Sequence, residues 1–396
     1  TATFAQVGLV SSAVFTDLNA DGWPDLALAC EWGLLRLFRN DRGHFTAWDL
    51  PIEWTNDSPR NAQLTQLLQL TGWWNSVAVG DFDNDGQLDV VAGNWGRNTS
   101  RQHFDDIQLH FADADGSGNL ALLEGHFDRV LAKAVPARDW NALAKAFPVL
   151  QEHLASFTAF STASLSDVLA AGLPPMRNVS AATFDSVLLL NRGDHFDVRS
   201  LPLEAQVSPV FGIAVGDMDG DGNLDLFLAQ NFFPVASSES RHDAGSGAWL
   251  RGDGQGGFVA VAPSESGFAI WGQGRGAALC DFNHDGRLDV VVGQNSGATK
   301  LYRNTRAKAA LRVQLMGPEE NSQAVGAALR LVFKSGKLGP VHEVHLGGGY
   351  WSQDSRDILL AVPEEPAALE IRWPGGIIER VPLSSGVQSL KRNFPR

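Results

Sequence analysis

The sequence is short of the residues that hold disulfide-rich or membrane-spanning proteins together. It contains two cysteines, Cys30 and Cys280, among 396 residues, which excludes a scaffold built on disulfides. We expect both thiols to be free, with a bridge between the first and last repeats as the alternative. No apolar run approaches the ~20 residues that a membrane-spanning helix needs, so we expect no membrane span.

Catalytic motifs and an excess of basic residues are missing as well. The sequence has no GxSxG, HExxH, CxxC or Walker A motif, and we assign no catalytic residue. Lysine and arginine number 31 against 45 aspartates and glutamates, for a formal charge of −14. Because there is no basic stripe, nucleic-acid binding is not expected.

What the sequence does contain is one acidic pattern in four copies. The copies are DLNADGWPD from Asp17, DFDNDGQLD from Asp81, DMDGDGNLD from Asp217 and DFNHDGRLD from Asp281. Each copy reads D-x-D/N-x-D-G-x-x-D, with side-chain oxygens at positions 1, 3, 5 and 9 and glycine at position 6. Four copies in register favour metal loops over ordinary Asp-Gly turns.

This spacing is typical of calcium loops. Ca²⁺ takes six to eight oxygen ligands at about 2.3–2.6 Å, whereas Mg²⁺ requires a strict octahedron and keeps its water. Glycine permits the sharp turn that a Cβ would obstruct. We therefore predict about four Ca²⁺ sites, in which position 7 offers its backbone carbonyl. The predicted ligands are Asp17, Asn19, Asp21, Trp23 and Asp25; Asp81, Asp83, Asp85, Gln87 and Asp89; Asp217, Asp219, Asp221, Asn223 and Asp225; and Asp281, Asn283, Asp285, Arg287 and Asp289.

A fifth stretch begins the same pattern and does not complete it. Asp113, Asp115, Ser117 and Asn119 follow the spacing, but Ala121 stands where the closing aspartate belongs. We expect a turn of the repeat whose metal site is weakened or lost.

The segments around the loops predict strands. Each loop lies between short apolar runs, such as NSVAVGD and VVAGN, and a third run leads into a turn. These runs are too short for helices and are bounded by Gly, Asn and Asp, as strands are. Asp17 to Asp81 and Asp217 to Asp281 are both intervals of 64 residues. This period suits one four-stranded antiparallel blade per repeat of a β-propeller, with the loop joining two neighbouring strands.

The repeats resemble the FG-GAP, or VCBS, repeats of integrin α-subunit propellers and of many secreted bacterial proteins. Three later stretches resemble the ASPIC/UnbV domain that often follows such repeats; they are Asn321–Phe333, Gly347–Ser355 and Ile371–Gly376.

The resemblance implies an all-β chain in two parts. Residues 1–306 would form a calcium-stapled propeller, and residues 307–396 a small ASPIC/UnbV-like β domain. We count about five blades, whereas closed propellers of this family more often have seven. A small ring, blades without calcium loops and another chain that completes the ring are the alternatives.

One interval between loops is longer than the others, and its excess lies at about residues 136–182. Apolar residues recur there at steps of three and four, which predicts an amphipathic helix; they are Leu143, Phe147, Leu150, Leu154 and Phe157. A second short helix is predicted to begin near Ser164 or Ser166 and to end before Gly172. We expect this helical insert to pack on one face of the propeller.

Side chains outside the loops indicate a ligand surface only weakly. The candidates are Arg241, His242, Asp243, Trp249 and Trp271. Aromatic side chains at a propeller rim stack on sugars or on a partner's side chains, although packing within blades is the plainer interpretation.

Two further patterns could indicate a functional site, but a structural role is the simpler interpretation of each. The triplets at 192–194 and 251–253 spell Arg-Gly-Asp, but they stand where the other repeats place a hairpin turn, and we favour the turn. One acidic cluster lies outside the loops, and a catalytic role for it is the less favoured interpretation; it comprises Asp105, Asp106, Glu124 and Asp128.

The sequence thus favours a secreted or cell-surface calcium-binding propeller that works as a non-catalytic binding or scaffold module. We expect a protein or glycan ligand, as in protein binding and cell adhesion. Millimolar extracellular calcium fills loops of modest affinity, so the expected location is extracytoplasmic: secreted, periplasmic or cell-surface. The alternatives are a carbohydrate-binding or carbohydrate-active propeller (lectin, lyase or hydrolase), and a subunit or processed segment of a larger extracytoplasmic assembly.

Overall fold

The apolar runs around each acidic loop become neighbouring antiparallel strands. A computed structural model describes residues 2–55, 61–99, 101, 105–113, 118–154, 156–235 and 239–395. Strands are the main regular structure of the described residues, and helices are few and short. The predicted all-β class is confirmed at this level, whereas a closed propeller is not shown.

The first half of the chain forms two blades and an inserted unit. Blade 1 comprises β1 (Leu9–Thr16), β2 (Asp25–Glu31), β3 (Gly33–Asp41) and β4 (His44–Ala47), and is followed by β5 (Ile52–Trp54) and β6 (Thr71–Gly72). Blade 2 begins with β7 (Ser76–Gly80) and β8 (Asp89–Gly93). The insert comprises β9 (Asp105–Asp113), β10 (Leu120–Asp128), β11 (Lys133–Pro136), α1 (Trp140–Ala146), α2 (Leu150–His153), α3 (Phe157–Thr162), α4 (Leu165–Ala170) and β12 (Arg177–Ala181). Blade 2 is then completed by β13 (Val187–Asn191) and β14 (Phe196–Ser200).

The second half forms two more blades and the C-terminal domain. Blade 3 comprises β15 (Val210–Gly216), β16 (Asp225–Gln230), β17 (Ala248–Gly252) and β18 (Phe258–Val261), and α5 (Pro263–Ser266) follows. Blade 4 comprises β19 (Gln273–Cys280), β20 (Asp289–Asn295) and β21 (Lys300–Tyr302). The C-terminal domain comprises β22 (Leu311–Met316), β23 (Ala328–Phe333), β24 (His342–Glu343), β25 (Ile358–Leu360), β26 (Pro366–Arg372), β27 (Ile378–Pro382) and β28 (Ser389–Asn393). Short 3-10 turns lie at Ala2–Phe4, Leu67–Gln69, Leu203–Ala205 and Glu319–Asn321.

The four blades pack face to face in a row, in chain order. Their innermost strands β1, β7, β15 and β19 lie side by side. In each of blades 1 to 3, three residues face the next blade. They lie three positions before, one position after and ten positions after the first aspartate of the acidic loop. All nine are buried: Val14, Leu18, Ala27, Ala78, Phe82, Val91, Ala214, Met218 and Phe227. Burial of this repeated apolar face holds the row together.

Glycine allows the inner strands to approach closely at two of these interfaces. A Cβ on Gly80 would lie 2.9 Å from the Leu224 side chain, and one on Gly216 would lie 2.7 Å from Leu279. Both glycines directly precede an acidic loop, so the loops are held near the seam between blades.

The insert interrupts blade 2 between β8 and β13, which still pair with each other. It begins earlier than predicted, because β9, β10, β11 and β12 form a four-stranded sheet of their own. The fifth acidic stretch therefore lies at the β9–β10 turn of the insert, not in a fifth blade of the row.

The long amphipathic helix predicted for the insert is divided into short helices. Leu143, Phe147 and Leu150 are buried in the insert's core, but α1 ends at Ala146. Pro148 explains the break, since the residue before a proline is pushed out of the helical region; Phe147 has φ −132° and ψ 82°. The predicted second helix corresponds to α4, whose N-cap is Ser164.

The C-terminal domain consists of two sheets, ordered β25-β22-β28 and β24-β23-β26-β27, around a core that includes Trp373, Leu369 and Ile371. Within the described residues, none of the helices has the length and apolarity required to cross a bilayer.

Candidate metal centres

The four acidic loops share one hydrogen-bond pattern. At position 9, one carboxylate oxygen accepts from the backbone N–H of position 2, at 2.9–3.1 Å. The other oxygen accepts from a backbone N–H at the end of the blade's third strand, as Asp25 does from Asn40 at 2.8 Å and Asp89 from Asn191 at 2.8 Å. The closing aspartate thus ties three strands of its blade to the loop.

The turn of each loop requires two residues in the left-handed region. Glycine at position 6 has φ between 81° and 93° in the four copies, as the sequence predicts. Position 4 is left-handed as well, with φ 59° at Ala20, 59° at Asn84 and 60° at His284. This second requirement was not predicted, because only one copy marks it with a glycine, Gly220.

The second loop contains oxygens that suit a cation. Asp81 Oδ1 and Asp83 Oδ1 are buried and have no hydrogen-bond partner. One carboxylate oxygen from each of Asp81, Asp83 and Asp85 lies within 4.8 Å of the others, and Asp217, Asp219 and Asp225 converge likewise in the third loop. Buried acceptors without donors are costly, and converging hard oxygens are the donor set of Ca²⁺.

Burial also raises the pKa of the loop carboxyls. It raises the pKa of Asp81 to about 6, of Asp25 and Asp217 to about 7, and of Asp225 to about 8. The like charges of neighbouring loop aspartates add to this effect. A bound cation opposes both effects and lowers the pKa of these carboxyls, because its positive charge favours the ionised carboxylates.

An arginine lies against an aspartate of every loop, which the sequence did not reveal. Arg192 Nη1 lies 2.6 Å from Asp83 Oδ2, and Arg251 Nε lies 2.8 Å from Asp219 Oδ2. Both arginines begin the Arg-Gly-Asp triplets. The triplet 192–194 lies in the turn between β13 and β14, as predicted, whereas Arg251 and Gly252 end strand β17. In the outer loops an arginine of the C-terminal domain reaches position 1: Arg372 Nη2 lies 3.1 Å from Asp17 Oδ2, and Arg312 pairs with Asp281. In the fourth loop Arg287 also lies 2.9 Å from Asp285 Oδ2.

The C-terminal domain also contacts the loops through hydrogen bonds that backbone N–H groups of either side donate. The N–H of Asp17 donates to Glu343 Oε1 at 2.9 Å, and the N–H of Val341 donates to Asp81 Oδ2 at 2.9 Å. Ala310 N–H donates to the carbonyl of Gly286 in the fourth loop at 2.8 Å.

One stretch of this domain runs along the inner strands of all four blades. We call residues 347–355 the axial segment. Ser12 Oγ donates to its Gly349 carbonyl, and the Gly349 N–H donates to Val77 at 3.2 Å. A Cβ on Gly349 would lie 2.7 Å from the Ile213 carbonyl. At its end, Asp354 Oδ1 accepts from the Leu279 N–H at 2.7 Å.

A cavity of about 120 Å³ separates part of the C-terminal domain from the inner strands. Its lining includes His342, His345 and Asp354, which meet the cavity but are otherwise enclosed by protein. Burial raises the pKa of Asp354 to about 6 and lowers that of His342 to about 4.

The five residues predicted as a ligand surface lie in different surroundings. His242 is buried with its ring 5.3 Å from Trp95, whereas Trp249 packs in the core between blades 3 and 4. Arg241 lies over Phe233, and Asp243 and Trp271 are exposed. Neighbours in sequence such as Arg241 and His242 are separated here because alternate residues of an extended chain point to opposite sides.

The remaining acidic candidates have structural partners where they are described. Glu124 pairs with Arg101 at 2.7 Å, and Asp128 Oδ1 accepts from the N–H of Val130 at 2.8 Å. The side chains of Asp105 and Asp106 lie outside the described residues. In the fifth stretch, Gly118 N–H donates to Asp113 Oδ2 at 3.1 Å, as position 6 does to position 1 in the four loops. Asp115 and Ser117 lie outside the described residues, and Asn119 lies just before β10. Both cysteines are free.

Comparison with known proteins identifies two segments. A family model described as an FG-GAP-like repeat matches residues 17–92, and one described as ASPIC and UnbV matches residues 317–392. The predicted resemblance is confirmed: the chain carries an FG-GAP-like repeat and an ASPIC/UnbV domain.

Similarity to individual proteins is local or weak. Cartilage acidic protein 1 of Xenopus tropicalis is 32% identical over 103 residues, which are 26% of this chain and 14% of that protein. The crystal structure of the V. cholerae biofilm matrix protein Bap1 aligns with 97% of this chain and 61% of its own, at 10% identity and a TM-score of 0.17. A TM-score that low does not indicate a shared fold.

Proposed function

We propose that the acidic loops bind Ca²⁺ and that the protein works outside the cytoplasm as a non-catalytic binding or scaffold module. The observation that carries this proposal is the pair of buried oxygens without donors, Asp81 Oδ1 and Asp83 Oδ1. A cation is the partner that suits two adjacent orphaned carboxylate oxygens, and the nine-residue spacing suits Ca²⁺.

The loop residues would hold the ion and the blade together. When bound, Ca²⁺ supplies positive charge and electron-pair acceptance for the converging oxygens. In the second loop, Asp81 and Asp83 each keep one oxygen on a backbone or arginine donor, as Asp83 Oδ2 does on Arg192, and leave the other oxygen without a donor. Position 9 keeps both oxygens on the backbone of its own blade. Metal binding therefore stiffens the link between the first three strands.

Calorimetric titration with Ca²⁺, together with luminescence of Tb³⁺ as a calcium substitute, tests this proposal. Trp23, at position 7 of the first loop, is positioned to sensitise Tb³⁺. We expect Asp83→Asn and Asp219→Asn each to weaken binding at one loop. Asp253→Asn, in a surface turn where its Oδ1 accepts from Gln255 N–H at 2.8 Å, is the matched control. Absence of binding at 10 mM Ca²⁺ would contradict the proposal.

The affinity also tests the proposed location. Dissociation constants of about 10⁻⁴–10⁻³ M are typical of extracellular calcium modules, whereas cytosolic buffers bind at about 10⁻⁹–10⁻⁸ M. We expect the extracellular range. Nanomolar affinity would remove the argument for an extracytoplasmic protein while leaving the metal sites intact.

A glycan is one candidate ligand, and Trp351 is the observation that favours it. Its side chain is 87% exposed and stacks on Tyr350, with ring centroids 5.6 Å apart and planes 11° apart. Exposed aromatic rings of this kind provide stacking surfaces with a polar edge. A glycan array should show binding that Trp351→Ala removes; a pull-down of a protein ligand that survives Trp351→Ala would favour protein binding instead.

A further inference from the structure

Blade 4 displays, at the end of the row, the face that blades 1 to 3 bury. The residue one after the first loop aspartate is almost fully buried in blades 1 to 3, at 2% exposure for Leu18 and Phe82 and 4% for Met218. In blade 4 the same position is Phe282, which is 67% exposed. Leu301, on β21, is 46% exposed. The repeat thus places an apolar packing face where the described chain supplies no further blade.

A hydrogen bond marks each existing seam at this position. The backbone carbonyl of Leu18 accepts from Asn191 Nδ2 of the next blade at 2.8 Å, and that of Met218 accepts from Asn304 Nδ2 at 2.7 Å. Asn191 ends the third strand of its blade, and Asn304 lies two residues after the third strand of blade 4. At the seam between blades 2 and 3, the carbonyl of Phe82 accepts instead from the backbone N–H of Gly256 at 3.1 Å. A partner for blade 4 should therefore present an apolar inner strand and an asparagine at this place.

Blade 1 has these features at the other end of the row. On its outward face, the inner strand exposes Val10 at 43% and Phe15 at 46%, which pair with Cys30 and Leu26 of the outward cluster. Phe4, Val7 and Phe45 pack on the second and third strands of this face, and the ring of Phe45 also lies 6.2 Å from that of Phe15. Val10 and Phe15 nevertheless stay exposed on the inner strand.

Asn40 of blade 1 corresponds to Asn191 and Asn304. Asn191 Nδ2 donates both to Leu88 of its own blade and to Leu18 of the preceding one. Asn40 Nδ2 donates to Pro24 of its own blade at 2.7 Å, and an amide nitrogen carries two hydrogens. The second hydrogen suits the carbonyl of an incoming Phe282.

We propose that two copies of this chain close one ring, with blade 4 of each copy packed on blade 1 of the other. A two-fold axis generates both contacts and leaves no apolar blade face open. Two rows of four give eight blades, within the four to eight typical of propellers. The contact repeats the seam already present between neighbouring blades. This inference does not depend on calcium or on a ligand.

Light scattering coupled to size-exclusion chromatography tests the assembly. The chain has a mass of 42.6 kDa, and we expect about twice that value. Leu301→Asp and Val10→Asp each place a charge on an exposed position outside the acidic loops and should give single chains. Val259→Asp, at a residue that is 70% exposed on β18, is the matched control and should leave the dimer intact.

Mixing the two variants tests which faces meet. Leu301→Asp damages blade 4 and Val10→Asp damages blade 1, so a mixed dimer retains one undamaged contact and should re-form in part. Maleimide labelling of Cys280, which lies on the open face, should be slower in the dimer than in Leu301→Asp. A single-chain mass up to 100 μM, an open-ended polymer, or no association in the mixture would overturn the proposal. Circular dichroism of each variant confirms that it is folded.

Discussion

The two middle loops and the two outer loops hold the same pattern with different counter-charges. The middle loops, 81–89 and 217–225, have aspartate at position 3, and an arginine from the same blade lies against it. The outer loops, 17–25 and 281–289, have asparagine there, and an arginine of the C-terminal domain lies against position 1 instead. The fourth loop adds its own Arg287, which pairs with Asp285. Where position 3 is a carboxylate, an arginine of the same blade lies against it.

This difference teaches that the arginine of each middle loop comes from the same blade, whereas the arginine at position 1 of each outer loop comes from another domain. With four carboxylates against three, the middle loops should bind a divalent ion more tightly, since ligand charge tunes calcium affinity. The outer loops should instead link ion binding to docking of the C-terminal domain.

Removing calcium is the largest perturbation of both classes. When the Ca²⁺ concentration is ten times the dissociation constant of a site, binding at that site stabilises the fold by about 1.4 kcal/mol. Four such sites together stabilise the fold by several kcal/mol. We expect a clearly lower melting temperature in chelator than in 1 mM Ca²⁺, measured by differential scanning calorimetry. Equal midpoints would argue against structural ions in either class.

Exchanging position 3 between the classes sharpens the comparison directly. Asp83→Asn should weaken one middle site by about tenfold, or about 1.4 kcal/mol, and Asn19→Asp should strengthen an outer site. Calorimetric titration measures both. The control is Asp115→Ala, in the stretch without a closing aspartate, which should change neither class. If Asn19→Asp weakens Ca²⁺ binding, the charge of the ligands does not determine which class of loop binds Ca²⁺ more tightly.

The pH dependence of stability separates the axial segment from the loops. The pKa of Asp354 is raised from 3.8 to about 6 by burial, so the folded state holds its proton more tightly than the unfolded state. The contribution of Asp354 to the stability of the folded state is complete below about pH 4 and is lost as the pH rises to about 6. The free energy of unfolding of Asp354→Asn should equal that of the parent protein at pH 4 and exceed it at pH 7 by about 1 kcal/mol, allowing for water in the cavity.

Urea unfolding of both proteins at pH 4 and pH 7, in equal calcium, measures this difference. Loop carboxyls titrate in the same range, but they are common to both proteins and cancel. An equal gap at the two pH values would show that ionisation of Asp354 does not affect stability.

Substituting the arginines gives the smallest effect and isolates domain docking. Arg372→Met and Arg312→Met should each cost about 0.5–1 kcal/mol, as for partly exposed ion pairs. They should also speed proteolysis of the connection at residues 303–310. Arg192→Met and Arg251→Met should leave that cleavage rate unchanged. Equal rates in all four variants would mean that Arg372 and Arg312 do not hold the C-terminal domain against the outer loops.

The loops were predictable because their chemistry is local. Nine consecutive residues carry the oxygens, the glycine and the closing aspartate, so spacing alone indicates the site. The left-handed position 4 was missed, since Ala20 and His284 give no signal for it. Pro148 could have indicated the helix break, because its effect on the preceding residue is also local.

Long-range features were not predictable in the same way. Arg192 and Arg251 read as turn residues, and nothing nearby indicates that they reach back to an acidic loop. The segment 347–355 was recognised only as part of a family motif. Its position along four inner strands depends on packing between distant parts of the chain, which a periodic pattern does not encode.

The contact between Ser12 and Gly349 constrains the order of events during synthesis. These residues are separated by 337 positions, so the first blade must wait for nearly the whole chain to leave the ribosome before the contact forms. Such high sequence separation slows folding, because a long loop must close before the contact can stabilise it. We expect newly made blades to spend this interval with exposed apolar edges, which makes them natural clients of chaperones.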